Sequence, residues 1–252
     1  MGFFVTARPL VFAHRGGCAL GPENTIAAFD LGMAAGADGL EFDVHLSSDG
    51  VPVVHHDDTL ERTTSGSGPI ASRTAAELAR VDSGCPFGIP TLADVLRRYP
   101  DVPLIVEMKV DSEAMGEAVA RAVRAAGAAR RVCAAGYGSR SAAAARAALP
   151  EMASSASHRE VTWALYRSWA RVPVRRAPFG GYQVPEVAAG HRIVSPRFIR
   201  HAHQAGLKVQ VWTVDDEPDM RRLLSWGVDG LITNRPDLAV RVRNDAGGVV
   251  GP

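Results

Sequence analysis

Short, largely β-branched apolar runs recur along the chain between alanine-rich stretches of helical character. The runs fall at 11–14, 39–44, 103–108, 131–135, 151–154, 180–184, 208–213 and 229–233. The stretches between them carry readable helix ends. Residues 113–126 run without a break to Gly127, and Ser195 with Pro196 opens a helix that Gly206 closes. Serine at a helix start accepts a free N–H, and glycine at the end takes the left-handed conformation that terminates the helix. Alternation of this kind predicts a parallel sheet with helical crossovers.

One apolar run, 51–55, breaks the alternation. It follows the preceding strand too closely for a parallel crossover, and Ser48, Asp49 and Gly50 lie between them, so the pair reads as a β-hairpin. Eight strand–helix units then remain in 252 residues, the usual size of a closed (β/α)8 TIM barrel, here with its core at about 9–240 in one domain. Periodicity alone leaves an open doubly wound sheet as the alternative. A local echo, "AGADGLEFDV" (35–44) and "WGVDGLITNR" (226–235), indicates the same helix-to-strand loop used twice.

Composition narrows the partners. The chain has 28 basic and 27 acidic side chains, without the clustered positive field that nucleic-acid binding requires. Cys18, Cys85 and Cys133 are far apart and form no Cys-x-x-Cys pair. They read as reduced thiols of a cytoplasmic protein, not as a disulfide frame or zinc site. The N-terminal "MGFFVTARPL" lacks the basic start of a signal peptide, and no apolar run is long enough to span a bilayer. No stable membrane anchor is expected. Gly2 and Thr6 match the loose N-myristoylation pattern, which chance supplies easily, and a frayed terminus is the expectation there.

The chemistry lies at the strand ends. In "LEFDVH", Glu41 and Asp43 are two apart and share one face, while Leu40, Phe42 and Val44 take the other. In "LIVEMKV", Glu107 and Lys109 repeat the pattern. Three carboxylates at the ends of neighbouring strands suit one hard divalent cation, Mg²⁺ or Ca²⁺. Salt bridges, Lys109 to Glu107 or Arg15 to Asp43, are the plainer alternative. His14 and Arg15, which end the run "VFA", and "HHDD" (55–58) bring histidines and a permanent cation to the same barrel end, where barrel active sites lie. Gly16 and Gly17 follow at once, and are read as turning the chain closely enough to leave room for a phosphate. A histidine that exchanges a proton near neutral pH, an arginine that clamps phosphate and an acid-bound metal suit phosphoryl chemistry.

The motifs "HRGG", "PENT", "LEFDVHLSSDGVPVVHHDDTLERTT", "VEMK", "VWTVD" and "GVDGLITNRPD", in this order and over nearly the whole chain, resemble the glycerophosphodiester phosphodiesterase family. The resemblance implies a (β/α)8 barrel that hydrolyses small-molecule glycerophosphodiesters to glycerol 3-phosphate and an alcohol with one divalent cation. It implies His14 and His56 as the acid/base pair and Glu41, Asp43 and Glu107 as metal ligands. Arg15 and Lys109 match the phosphate-neutralising cations. The register of Thr59 and Leu60 selects His56, and leaves His55 as a packed or partly exposed neighbour. The implied route is attack by the glycerol 2-hydroxyl, giving a cyclic phosphate that water opens, with either histidine in either role. The family's small insertion over the barrel mouth corresponds to about 59–89, short and Gly/Ser-rich here.

Trp212 reads as an apolar wall for the glycerol carbons, or as one more core aromatic. Asp215 stands where the family pattern often has asparagine, and Asn234 where aspartate is common; both are read as bearing on substrate contacts. His201 and His203 are expected on a solvent-exposed helix face. The stretch 161–178, with Trp163, Tyr166, Trp169, Arg171, Arg175 and Arg176, is read first as a barrel-packing helix with a basic loop and second as a segment leaning on an anionic membrane. Two other functions stay open: a lysophospholipase D or cyclic-phosphate-forming phospholipase, and a non-catalytic anion-binding barrel, whose mark would be a missing histidine or metal ligand.

Overall fold

The computed structural model describes residues 2–84, 88–172, 174 and 176–247. The chain begins with β1 (Leu10–His14), α1 (Ile26–Ala34), β2 (Gly39–Leu46) and β3 (Pro52–Val54). A short α2 (Ala75–Leu78) and α3 (Leu92–Arg98) lead to β4 (Leu104–Met108), α4 (Glu113–Ala125), β5 (Val132–Ala135), α5 (Ser139–Ala148) and β6 (Ala153–Ser154). Next come α6 (His158–Trp169), β7 (Gly181–Pro185), β8 (Val187–Ala188), β9 (His191–Arg192) and α7 (Pro196–Gln204). The last elements are β10 (Lys208–Trp212), α8 (Glu217–Trp226), β11 (Gly230–Thr233) and α9 (Pro236–Gly247).

The main sheet runs β6-β5-β4-β2-β1-β11-β10-β7, with these neighbours parallel. Its two ends meet through a parallel bridge between Ser155 and Gly181, where Ala156 N–H donates to the Gly181 carbonyl at 2.9 Å. The closed (β/α)8 barrel therefore replaces the open-sheet alternative. The run at 51–55 is the hairpin the sequence predicts, with Val44 opposite Val54 in antiparallel register.

Strand alternation sorts the side chains. Leu40, Phe42, Val44, Leu104 and Val106 face outward into a buried cluster with Phe29, Leu92 and Val95 of the surrounding helices. The inward positions Phe12, Ile105, Cys133 and Ile232 fill the barrel interior together with Phe3. Phe3 stacks on Phe12 at 5.8 Å, so the N-terminal segment closes the barrel floor and is not the frayed end expected from its position.

The echoed loops share one physical purpose. Asp38 accepts the Val11 N–H at 2.8 Å, and Asp229 accepts the Val209 N–H at 2.8 Å. Each aspartate thus ties the start of its own strand to the strand beside it. His203 pairs with Asp229 at 2.7 Å and is exposed, as expected, whereas His201 is half-buried. Thr25, Ser112 and Ser195 cap α1, α4 and α7 through their side-chain oxygens, each such cap contributing about 1 kcal/mol.

Three differences from the sequence reading stand out. The segment around α2 has its own small core of Val53, Leu60, Ile70, Leu78 and Ile89. The hairpin of β8 and β9 has no counterpart in the expected elements, and its turn residues Ala189 and Gly190 both adopt positive φ, 48° and 76°. Helix α6 does pack on the barrel through Ala164 and Leu165, but Trp163, Tyr166 and Trp169 point outward. Cys18 and Cys133 are free thiols, whereas Cys85 and Arg175 lie outside the described residues. No helix among the described residues is long and apolar enough to cross a membrane.

Candidate active site

Parallel register brings the acidic residues together. His14 is level with Glu41 across β1 and β2, and Asp43 is level with Glu107 across β2 and β4. Glu41, Asp43 and Glu107 each offer an oxygen within 4.8 Å of the others. Burial raises the proton affinity of Glu41 well above the usual carboxylate range, and the charges of Asp43 and Glu107 add to it. Crowded, dehydrated carboxylates of this kind are relieved by a hard cation with oxygen preference, so the donor set fits one Mg²⁺ or Ca²⁺.

The salt bridges of the plainer reading are also present. Arg15 Nε lies 3.3 Å from Asp43, and Lys109 Nζ lies 3.1 Å from Glu107 and 3.4 Å from Asp43. Burial alone would lower the Lys109 pKa, yet the charges of Glu107 and Asp43 outweigh it and hold the ammonium above its ordinary value. Glu41, by contrast, receives the Arg15 backbone N–H at 3.2 Å and has the His14 ring 3.8 Å away.

Arg15 occupies a left-handed turn. Arg15, Gly16 and Gly17 have φ of 52°, 90° and 87°, a sequence of conformations only glycine adopts without cost. A side chain at Gly16 would meet Phe29 at 2.6 Å and the Ala28 backbone at 2.8 Å, and one at Gly17 would meet Pro236 at 2.9 Å. Packing against α1 and the start of α9 thus requires the glycines.

Each predicted catalytic histidine is held by one ring nitrogen. His14 Nδ1 lies 2.6 Å from Asn234 Oδ1. The amide of Asn234 donates to Asp215 at 2.7 Å, and Asp215 also accepts the Asn234 backbone N–H and the Thr233 hydroxyl. His56 Nδ1 lies 2.6 Å from Asp57 Oδ1, and Arg62 binds Asp57 at 2.5 Å and Glu23 at 2.6 Å. Glu23 in turn binds Arg15 at 2.9 Å, completing an ionic chain between the two sides of the site. The Arg62 hydrogen bond is the largest of the effects that hold Asp57 far below the usual carboxylate range. His55 is buried and bonded to the Thr59 carbonyl at 3.1 Å, and burial lowers its pKa.

Sequence reasoning missed several of these residues. Asp215 and Asn234 are absent from the cavity wall and act on His14, which corrects their assignment to substrate contacts. The "PENT" segment is structural support: Asn24 is buried and donates to Asp43 at 2.9 Å, while Glu23 joins the ionic chain. The signal was present, since polar residues that fold into a barrel mouth must find polar partners.

A cavity of about 350 Å³ opens over these groups. At one end it is lined by His14, Arg15, Glu41, Asp43, His56, Glu107 and Lys109, and at the other by Val161, Leu165, Val184, Pro185, Ala188 and Ile193. Trp212 lines the wall between, with Tyr137 edge-on at 6.2 Å. Among the described residues none from 57 to 89 lines it.

Comparison with known proteins identifies the family. The model of the glycerophosphoryl diester phosphodiesterase family matches residues 14–238. A glycerophosphodiester phosphodiesterase of Caldanaerobacter subterraneus subsp. tengcongensis is 32% identical over 95% of this chain and 100% of its own. The crystal structure of a glycerophosphodiester phosphodiesterase from Agrobacterium tumefaciens superimposes with a TM-score of 0.76 at 28% identity, covering 94% of this chain and 99% of that one. An Oleispira antarctica phosphodiesterase, solved with its product sn-glycerol-3-phosphate, gives a TM-score of 0.76 at 26% identity over 94% and 97% of the two chains. With the family match spanning almost the whole barrel, the chain belongs to the glycerophosphoryl diester phosphodiesterase family and is an enzyme of the phosphoric diester hydrolase class.

Proposed function

We propose that the enzyme hydrolyses glycerophosphodiesters to glycerol 3-phosphate and a free alcohol, with His14 and His56 as proton carriers. The reading is carried by one observation: two histidines, each tethered at Nδ1, flank the Glu41, Asp43 and Glu107 cluster in one cavity. Those three carboxylates would hold one divalent cation, Mg²⁺ or Ca²⁺, which supplies Lewis-acid neutralisation of the phosphoryl oxygens.

The tethers distinguish the two histidines. Asn234 commits its N–H to Asp215, so its oxygen faces His14 and accepts a hydrogen bond from Nδ1–H. Nε2 of His14 is then left with a lone pair, the form of a base. His56 is tethered at Nδ1 to the Asp57 carboxylate, which holds the ring with Nε2 turned to the departing alcohol, the place of the acid. In the first half-reaction His14 removes the proton of the glycerol 2-hydroxyl, whose oxygen attacks phosphorus, and His56 protonates the departing alcohol. In the second, His56 takes a proton from water as it opens the cyclic phosphate, and His14 returns its proton to the 2-oxygen. Arg15 and Lys109 neutralise charge on the phosphoryl oxygens, and Trp212 forms the wall against the glycerol carbons. The free thiols of Cys18 and Cys133 support a cytoplasmic setting.

Phosphorus NMR of glycerophosphocholine turnover tests the route. A cyclic phosphate that rises and then falls as glycerol 3-phosphate accumulates, and that requires Mg²⁺ or Ca²⁺, is the expected course. Undiminished turnover by chelated enzyme would overturn it.

A further inference from the structure

Helix α6 has two unlike faces. Val161 and Leu165 line the apolar end of the cavity, while Trp163, Tyr166 and Trp169 are 63%, 58% and 48% exposed. Their spacing of three residues puts the aromatics in one stripe. Tyr166 and Trp169 meet edge to face at 5.6 Å, and Trp169 reaches the His191 ring of β9 at 6.1 Å. Val187, on the strand paired with β9, is also exposed, and its neighbour Ala188 lines the cavity. The aromatic stripe is therefore continuous with the cavity rim. A contiguous apolar patch of this kind on a water-facing surface marks a binding face.

Charge identifies what it binds. Residues 157–180 include five arginines and one acid, Glu160, and Glu160 is bound by Arg146 at 2.8 Å. Arg159, Arg171 and Arg176 are exposed. Tryptophan and tyrosine beside arginine, without a free carboxylate, suit the interface of an anionic bilayer, where the rings enter the headgroup layer and the guanidinium groups meet lipid phosphates.

We propose that the face formed by α6 and the β8–β9 hairpin seats the enzyme on an anionic membrane surface, with the cavity rim at the lipid boundary. The contact is peripheral and reversible: among the described residues no helix is long and apolar enough to cross a membrane. It brings an open, half-apolar cavity to the place where phosphodiesters bearing apolar arms are concentrated.

Sedimentation with vesicles of phosphatidylcholine alone, and of phosphatidylcholine with equimolar phosphatidylglycerol, tests the proposal without any substrate. A failure of the hydrolase reading would thus leave this result standing. The wild type is expected to sediment with the anionic vesicles and to show a blue shift of tryptophan emission. Combined Trp163→Ser, Tyr166→Ser and Trp169→Ser should abolish both while leaving turnover of soluble glycerophosphocholine intact. Each basic residue near an anionic surface contributes about fivefold in partitioning, so Arg171→Glu with Arg176→Glu should weaken binding by about twenty-five-fold or more. No sedimentation of the wild type, equal binding by the aromatic variant, or a concentration-dependent dimer that the aromatic variant dissolves would overturn the proposal.

Discussion

His14 Nδ1 and Asn234 Oδ1 lie 2.6 Å apart, 220 residues away in sequence, and Asp215 fixes which end of the Asn234 amide faces the ring. The order carboxylate, amide, imidazole directs the Asn234 oxygen at Nδ1 and so fixes how the His14 ring is held. Reversing the amide and carboxylate therefore tests positioning and not mere bulk.

Asn234→Asp would oppose two carboxylates across a 2.7 Å contact. We expect kcat for glycerophosphocholine to fall by about a hundredfold, a loss within the range for a mispositioned base, with KM little changed. Adding Asp215→Asn restores one donor between the pair, and steady-state kinetics of the double variant should show partial recovery. A double variant worse than the single one would contradict the assignment.

Cation binding should stabilise the fold. Ligand held only by the native state raises stability by about 2.7 kcal/mol at a hundred times its dissociation constant. Thermal unfolding followed by fluorescence should show a rise with Mg²⁺ or Ca²⁺ in the wild type and almost none in Glu41→Gln. Because ionised Glu41 is crowded by Asp43 and Glu107, that variant should be at least as stable as the wild type when both are stripped of cations.

Buried His55 predicts a pH dependence with a definite sign. Its folded-state pKa is lowered by burial, so the unfolded chain takes up the proton first as pH falls. Its contribution to stability is thus complete above about pH 6.5, the unperturbed value, and declines as pH drops below that toward the folded pKa. Urea midpoints compared at about pH 7.5 and pH 5.5 should differ more in the wild type than in His55→Gln.

Gly16→Ala combines a φ of 90° with a Cβ 2.6 Å from Phe29 and 2.8 Å from the Ala28 backbone. A compatible glycine-to-alanine change gains up to about 1 kcal/mol, and an incompatible one such as this loses more than that. Denaturant titration should show that loss, together with reduced activity, because Arg15 would be displaced from Asp43.

The barrel strands were legible because apolar runs bounded by glycine and helix ends survive as local signals. Glu41, Asp43, Glu107 and Lys109 were legible from the two-residue repeat of a strand. The supports were not: Asn234 reaches His14, and Glu23 reaches Arg62, only once the barrel closes. The β8–β9 hairpin is two residues per strand and wholly exposed, so it carries no alternation to detect. Helix α6 packs on the barrel as read, through Ala164 and Leu165, but which of its aromatics face water is set by the packing and not by composition, and Trp163 and Trp169 do.

The most direct measurement is release of glycerol 3-phosphate from glycerophosphocholine by the wild type, His14→Ala and His56→Ala, each with Mg²⁺ or Ca²⁺ and after chelation. The account predicts turnover by the cation-loaded wild type, and its loss on chelation. Each variant should fall by about a hundredfold or more, the contribution of a positioned acid or base. Wild-type rates in either histidine variant, or in the chelated enzyme, would contradict it.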